Sequence, residues 1–184
     1  KMRRIQIIVN NGAGTGQAHR VWKETQRLLR GYKIKYEAHM TRDRGHATKL
    51  AEEISGRKGN DPVYMLVVGG DGTINEVLNG ILDFDRVRLG VIPTGSGNDF
   101  GRNLKLPKTP KESLRQICAC IRKDQRGLEL RRIDLGQVRW EGCEKPRIFG
   151  ISAGLGLDAL VCKKALNSRL KQVLNRFHLG KLTY

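Results

Sequence analysis

Residues 66–76 read LVVGGDGTINE, and the fold is decided in this stretch. The apolar run from Val63 to Val68 does not alternate, which marks a strand buried on both sides, as in a parallel sheet. It breaks into Gly69, Gly70, Asp71 and Gly72, after which a helical pattern begins at Thr73 and continues through Val77, Leu78 and Ile81. A strand, a glycine-rich turn and a helix in immediate succession predict one βα unit, with the turn at the carboxyl end of the strand.

The same unit recurs on either side. Ile5, Ile7, Ile8 and Val9 form a short β-rich run that ends in NNGAGTG, and from Gln17 to Tyr32 the residues Val21, Trp22, Leu28 and Leu29 share a helical face. Ile34, Tyr36, Ala38 and Met40 alternate as in a strand, and Ala47, Leu50, Ala51 and Ile54 follow at helical spacing, closed by Gly56. Val87–Ile92 reads as a further strand and Pro110–Lys123 as a helix with proline at its start. This order predicts an α/β class with a parallel sheet and helices on both faces. Such sheets bind ligands at the carboxyl ends of their strands, where NNGAG, Thr41, GGDGT and PTGSGND converge. The pattern changes near Arg131. RRIDLGQVRWEG and KPRIFGISAG look like two strands around a turn, so residues 1–130 are read as the α/β domain and 131–184 as the start of an antiparallel β-sandwich with a basic helical segment.

The chain of 184 residues is 39% hydrophobic and 29% charged, suiting a globular protein, and no apolar run is long enough to span a bilayer. The net charge of +17 points either to an anionic partner (nucleic acid, a membrane surface or a phosphate-rich substrate) or to a merely basic surface, and charge by itself does not choose between them. Cys118, Cys120, Cys143 and Cys162 lack zinc-site spacing and read as reduced thiols. The four histidines are scattered through unrelated segments.

A backbone approaches phosphate closely only where no Cβ intervenes, and glycine also permits the positive-φ turns that aim successive N–H groups inward. A helix starting just beyond adds free N–H groups and partial positive charge. GGDGT has this form but is neither a P-loop nor a dinucleotide fingerprint. Asp71 is the informative residue: beside phosphates it calls for Mg²⁺, and otherwise it is a capping residue in a tight turn. IPTGSGNDFGRNL repeats the combination of glycines, hydroxyls and a carboxylate after a second strand.

Together VVGGDGTINEVLNGI and PTGSGNDFGRNLKLP resemble the catalytic domain of the diacylglycerol kinases and related lipid kinases, including the sphingosine and ceramide kinases. IVNNGAGTG is similar to that family's first nucleotide loop, with Asn11 where proline is common. The resemblance runs from about Ile5 through Ala159. It implies that ATP lies across the strand ends, held by Asn10, Asn11, Gly12, Ala13 and Gly14, and by Gly69, Gly70, Asp71, Gly72, Thr73, Ile74, Asn75 and Glu76. Thr41 and Thr94 would be hydrogen-bonding partners. It also implies that Asp71 and Asp99 are catalytic, and that with Asp134 they bind Mg²⁺ directly or through water. Asp134 has a second reading, as a strand-edge carboxylate paired with Arg131 or Arg132.

The expected function is ATP-dependent phosphorylation of a lipid hydroxyl, diacylglycerol to phosphatidic acid, by a cytoplasmic protein peripherally associated with an anionic membrane. The unbalanced cations from Lys163 to Lys181 are expected to bind that surface, with an apolar stripe from Leu166 to Phe177 that reads equally as packing on the rest of the β-domain. The family's candidate base lies in a GDGE-like motif that does not occur after Gly72, so the chain is expected to be an incomplete, inactive part of a kinase. One rival is a soluble-substrate kinase of the NAD kinase type, against which GSGNDFGRNL argues. The other is a nucleic-acid-binding module; it lacks interleaved aromatics, and nucleic acid is not expected as a partner.

Overall fold

The computed structural model describes residues 4–10, 17–127, 130–154 and 159–160. Asn11, Gly12, Ala13 and Gly14, and the segment from Lys163 to Lys181, lie outside the described residues. In chain order the elements are β1 (Ile5–Val9), α1 (Gln17–Gly31), β2 (Tyr36–Met40), α2 (His46–Ser55), β3 (Val63–Gly69), α3 (Asp71–Leu78), β4 (Val87–Pro93), α4 (Asp99–Asn103), α5 (Pro110–Asp124), β5 (Gly136–Val138) and β6 (Arg147–Phe149).

The first four strands form one sheet in the order β2-β1-β3-β4, every neighbouring pair parallel. Ile7 on β1 stands opposite Ala38 on β2 and Leu66 on β3. Central β1 is buried along its whole length, whereas edge strand β2 is only partly covered. Alternate side chains feed two cores. Ile5, Ile7, Val9, Leu66 and Val68 pack with Trp22, Leu29, Leu114 and Ile121 of α1 and α5. Ile8, Met65, Val67 and Val91 pack with Leu50, Ile54, Ile74 and Val77 of α2 and α3 on the other face. The expected architecture is therefore present, with α1 and α5 on one face and α2 and α3 on the other.

Local chemistry accounts for the helix ends. Thr109 caps α5 by accepting from the backbone N–H of Glu112 at 3.3 Å and donating its hydroxyl to the Glu112 carboxylate at 2.8 Å, with Pro110 in the first turn. Helix α3 begins at Asp71, earlier than the Thr73 read from sequence, and ends at Leu78 rather than at Ile81. Just beyond this end no side chain fits: a Cβ on Gly80 would lie 2.0 Å from the Thr48 carbonyl oxygen and 2.9 Å from Ala51 Cβ. Glycine at this position lets the backbone beyond α3 lie directly on α2, and the Thr48 hydroxyl adds a bond to the Glu76 carbonyl at 2.9 Å.

The antiparallel pair β5–β6 is seated on α3 through Asn79. Its side chain accepts from the backbone N–H of Ile148 at 2.9 Å and donates to the same residue's carbonyl at 2.9 Å. This two-way bond mimics a sheet ladder, satisfying an edge residue of β6 with a side chain. Burial pushes the Cys118 thiol up from its ordinary range, which makes it a packing residue rather than a nucleophile.

Gly80→Ala is expected to cost about 1–3 kcal/mol, because the new methyl displaces a backbone carbonyl rather than a pliable side chain. Urea denaturation of the variant checks this; an unchanged midpoint would show that α2 and α3 separate freely.

Candidate functional site

The sheet has a switch point between its two central strands: from β1 the chain crosses to β2 on one side, then returns to β3 on the other. The carboxyl ends of β1 and β3 therefore open a crevice between diverging connections. Asn10 follows β1 into it. Its backbone N–H bonds to the Val68 carbonyl at 2.9 Å, and its side-chain amide donates to the Thr73 hydroxyl at 2.9 Å. One asparagine thus joins the end of β1 to the first turn of α3. Thr41 follows β2 on the same edge, its N–H bonded to the Val9 carbonyl at 2.9 Å.

The loops after β3 and β4 touch backbone to backbone. A Cβ on Gly70 would lie 3.1 Å from Gly95 Cα, and one on Gly95 would lie 2.9 Å from Gly70 Cα. Side chains are excluded at this contact by space, not by conformation, since Gly70 is extended at φ −90° and ψ −177°. Gly72 differs. It has no positive φ, and a Cβ there would point into open space.

Asp71 ties the two loops together. Its Oδ2 accepts the N–H of Asp99 at 3.0 Å and its Oδ1 the N–H of Phe100 at 3.0 Å. The capping role weighed from the sequence is real, but the helix capped is α4, on the neighbouring loop. Asn98 prepares that helix: it sits in the left-handed region at φ 54°, accepts from the Gly95 N–H at 2.8 Å and donates to the Gly95 carbonyl at 2.7 Å. Taken alone, GSGND reads as a turn capping a helix, and α4 is that helix; the work of Asn98 is not read from the sequence, although an Asn in a glycine-rich turn is a recognisable left-handed signal.

The Asp71 and Asp99 carboxylates converge over Gly97, where a Cβ would lie 3.2 Å from Asp71 Oδ2 and 3.5 Å from Asp99 Oδ2. The other Asp99 oxygen pairs with Arg102. Asp134 stands apart on the exposed stretch after residue 130. Arg131 donates instead to the Leu104 carbonyl at 3.2 Å and Arg132 pairs with Asp85 at 3.7 Å, so neither is matched to Asp134. Among the described residues, no three Asp, Glu, His or Cys side chains converge to hold a metal ion.

The remaining positions divide between solvent and packing. Thr73 and Ile74 are buried in the first turn of α3, and Glu76 is half-buried. Asn75 turns toward β6, donating to the Ile148 carbonyl at 3.3 Å. Thr94 is only 3% exposed and its hydroxyl has no hydrogen-bond partner, the one such buried side-chain atom among the described residues. Its backbone N–H bonds to the Gly69 carbonyl at 3.0 Å, which places it beside the Gly70–Gly95 contact.

A glycine-loop pair of this form, on this sheet, carries a family signature. The sequence profile of the diacylglycerol kinase catalytic domain matches residues 4–137. The chain belongs to that family. It is 34% identical over 179 residues to a Bacillus subtilis protein named "Putative lipid kinase YtlR", covering 97% of this chain and 56% of the relative. It is 39% identical over 112 residues to the diacylglycerol kinase of Bacillus subtilis, covering 58% of this chain and 35% of the relative. A crystal structure of a diacylglycerol kinase from Bacillus anthracis superposes with a TM-score of 0.54 at 30% identity, over 65% of this chain and 44% of that one. The chain thus spans about half, or less, of the length of these relatives. All of the described glycine-loop residues fall inside the matched domain.

Asp71→Ala removes both acceptors of the α4 amides and should lower stability by about 2 kcal/mol. Thermal unfolding checks this, and an unchanged Tm would mean that water replaces the carboxylate without loss. The glycines should separate in the same assay. Gly70→Ala and Gly95→Ala destabilise because backbone must move, while Gly72→Ala is neutral or stabilising by up to about 1 kcal/mol.

Proposed function

We propose that this chain is the nucleotide-binding part of an ATP-dependent lipid kinase acting on diacylglycerol at a membrane surface. The γ-phosphoryl group passes to the lipid hydroxyl; the bond to the β-phosphate oxygen breaks, ADP leaves, and the hydroxyl proton is lost to a base. Phosphate and ribose would be held by Asn10 to Gly14 and by Gly69 to Glu76, with Thr41 and Thr94 alongside. The open Cβ side of Gly72 leaves that turn of α3 accessible.

The donor set suits Mg²⁺. Each Asp71 oxygen spends one lone pair on a backbone N–H and keeps another, and Asp99 presents its second oxygen on the same side of Gly97. Asp134, which joins no cluster with them, would contribute through water. A bound Mg²⁺ would supply neutralising charge between carboxylates and phosphates. Asp71 would also keep the two glycine loops at one spacing whether or not nucleotide is present. That preorganisation suits a reaction whose catalysis is mostly positioning and charge stabilisation.

The unpartnered Thr94 hydroxyl carries this reading. Leaving a buried hydroxyl without a partner costs about 1–3 kcal/mol, and such a group at a ligand-binding edge is explained if a ligand completes it. No helix among the described residues is long and apolar enough to cross a membrane, which suits a protein that meets its lipid from the surface.

Thr94→Val keeps the shape and deletes the hydroxyl. Without ligand it should be as stable as the parent or more so by about 1 kcal/mol, while affinity for Mg-ADP by calorimetry falls about tenfold. Parent-like affinity would take Thr94 out of the site. For the reaction itself, the protein should phosphorylate diacylglycerol in mixed micelles and leave NAD untouched; the opposite preference would replace the lipid reading.

A further inference from the structure

Positive charge is not spread evenly over the helices. Helices α1 and α5, which cover one face of the sheet, together carry eight Lys and Arg residues against three Asp and Glu. Helices α2, α3 and α4 carry two against five. On α1, Arg20, Lys23, Arg27 and Arg30 recur at spacings of three and four and are all exposed, opposite the buried Ala18, Trp22, Thr25 and Leu29. On α5, Lys111, Arg115, Arg122 and Lys123 are exposed as well.

These cations are unmatched. Of the acids on this face, Asp124 is held by the Tyr64 hydroxyl at 2.7 Å and Arg88 Nε at 3.0 Å, and Glu112 is held by Thr109. Glu24 alone remains, and none of the eight cations forms an ion pair among the described residues. Elsewhere among the described residues some cations are paired, Lys145 with Glu52, Arg102 with Asp99 and Arg132 with Asp85, while others such as Arg44, Lys49 and Lys58 are not; what sets this face apart is its density of cations over acids. A face kept free of compensating acids repels itself, and an anionic partner relieves that repulsion.

Orientation narrows the partner. Helix α5 ends at Asp124, bonded to the second residues of β3 and β4, so it runs from the glycine-loop edge of the sheet to the opposite edge. Helix α1, as the crossover from β1 to parallel β2, runs the same way. The basic face therefore borders the edge that holds Asn10, Gly70 and Gly95. Within the two helices no Phe, Tyr or Trp ring is exposed to stack on bases, since Trp22, the one such residue, is 5% exposed and in the core.

We infer that the α1–α5 face docks the protein on an anionic lipid bilayer, bringing the glycine-loop edge beside the headgroups. The choice of a bilayer over another polyanion rests on the lipid-kinase reading above; the charge asymmetry does not. This surface includes none of the residues between Lys163 and Lys181.

The test is co-sedimentation with phosphatidylcholine vesicles with and without phosphatidylglycerol. Arg20→Glu, Arg27→Glu, Arg115→Glu and Arg122→Glu are combined in one variant, and Lys49→Glu, Lys58→Glu, Arg139→Glu and Arg147→Glu in another with the same net charge. The parent should bind only the anionic vesicles, more weakly as salt rises. The α1–α5 variant should bind about a hundredfold more weakly or worse, the other variant within about threefold of the parent. A matching set of Arg→Gln changes repeats the comparison should the reversal variant unfold. Equal losses in both variants would overturn the inference, as would vesicle binding that survives the α1–α5 changes and disappears only on deletion of residues 163–181. So would loss of duplex DNA binding in the α1–α5 variant with vesicle binding unchanged. Mg-ADP affinity, measured in the same variants, reports on the nucleotide site independently, so a failed docking face leaves the kinase reading standing and the reverse.

Discussion

The two hydrogen bonds from the backbone of Asp99 and Phe100 to the Asp71 carboxylate hold the candidate site in one piece. They cross between loops that follow different strands, so the spacing of those loops is set by a rigid side chain at the start of α3. Charge-assisted bonds of this kind are roughly twice as strong as neutral ones. They also satisfy amides at the start of α4, which Asn98, the residue preceding that helix, does not cap with its own side chain. Everything proposed for nucleotide and metal presumes that these loops stand where Asp71 keeps them.

Close approach makes that bridge possible. Gly70 and Gly95 bring two backbones together where a methyl group on either would collide with the other. The parallel register of β3 and β4 delivers the two loops to the same height, with Gly69 opposite Pro93. Helix α3 then acts as a hub. Its start carries Asp71, its buried side packs on the sheet with α2, and Asn79 beyond its end seats β6. A shift of α3 would therefore be felt at the loop pair and at the antiparallel strands alike.

Electrostatics divides the molecule along the plane of the sheet. Helices α2 and α3 carry one cation against four acids, whereas α1 and α5 carry eight against three, none of the eight in an ion pair among the described residues. Packing does not demand this, since all eight residues concerned are exposed. Such a division acts at the range of the Debye length, about 10 Å at 0.1 M salt, where it orients the molecule before any contact forms.

Much was legible in the chain itself. Alternating strand and helix periods, proline and threonine at the start of α5, and glycine-rich breaks after β1, β3 and β4 are local signals, because each rests on a residue's own conformational preference. They determined the α/β class, the parallel sheet and the edge on which the loops gather. The partners of Asp71, Asn75 and Asn79 were not legible. Asp71 spans 28 and 29 residues to its amides, and Asn79 spans 69 to Ile148. Contacts at such separations depend on strand order and register, which no local pattern encodes. The same holds for charge: the total of +17 is a property of the sequence, but the meeting of the eight cations of α1 and α5 on one face was decided only when those helices, distant in the chain, packed side by side against the same strands.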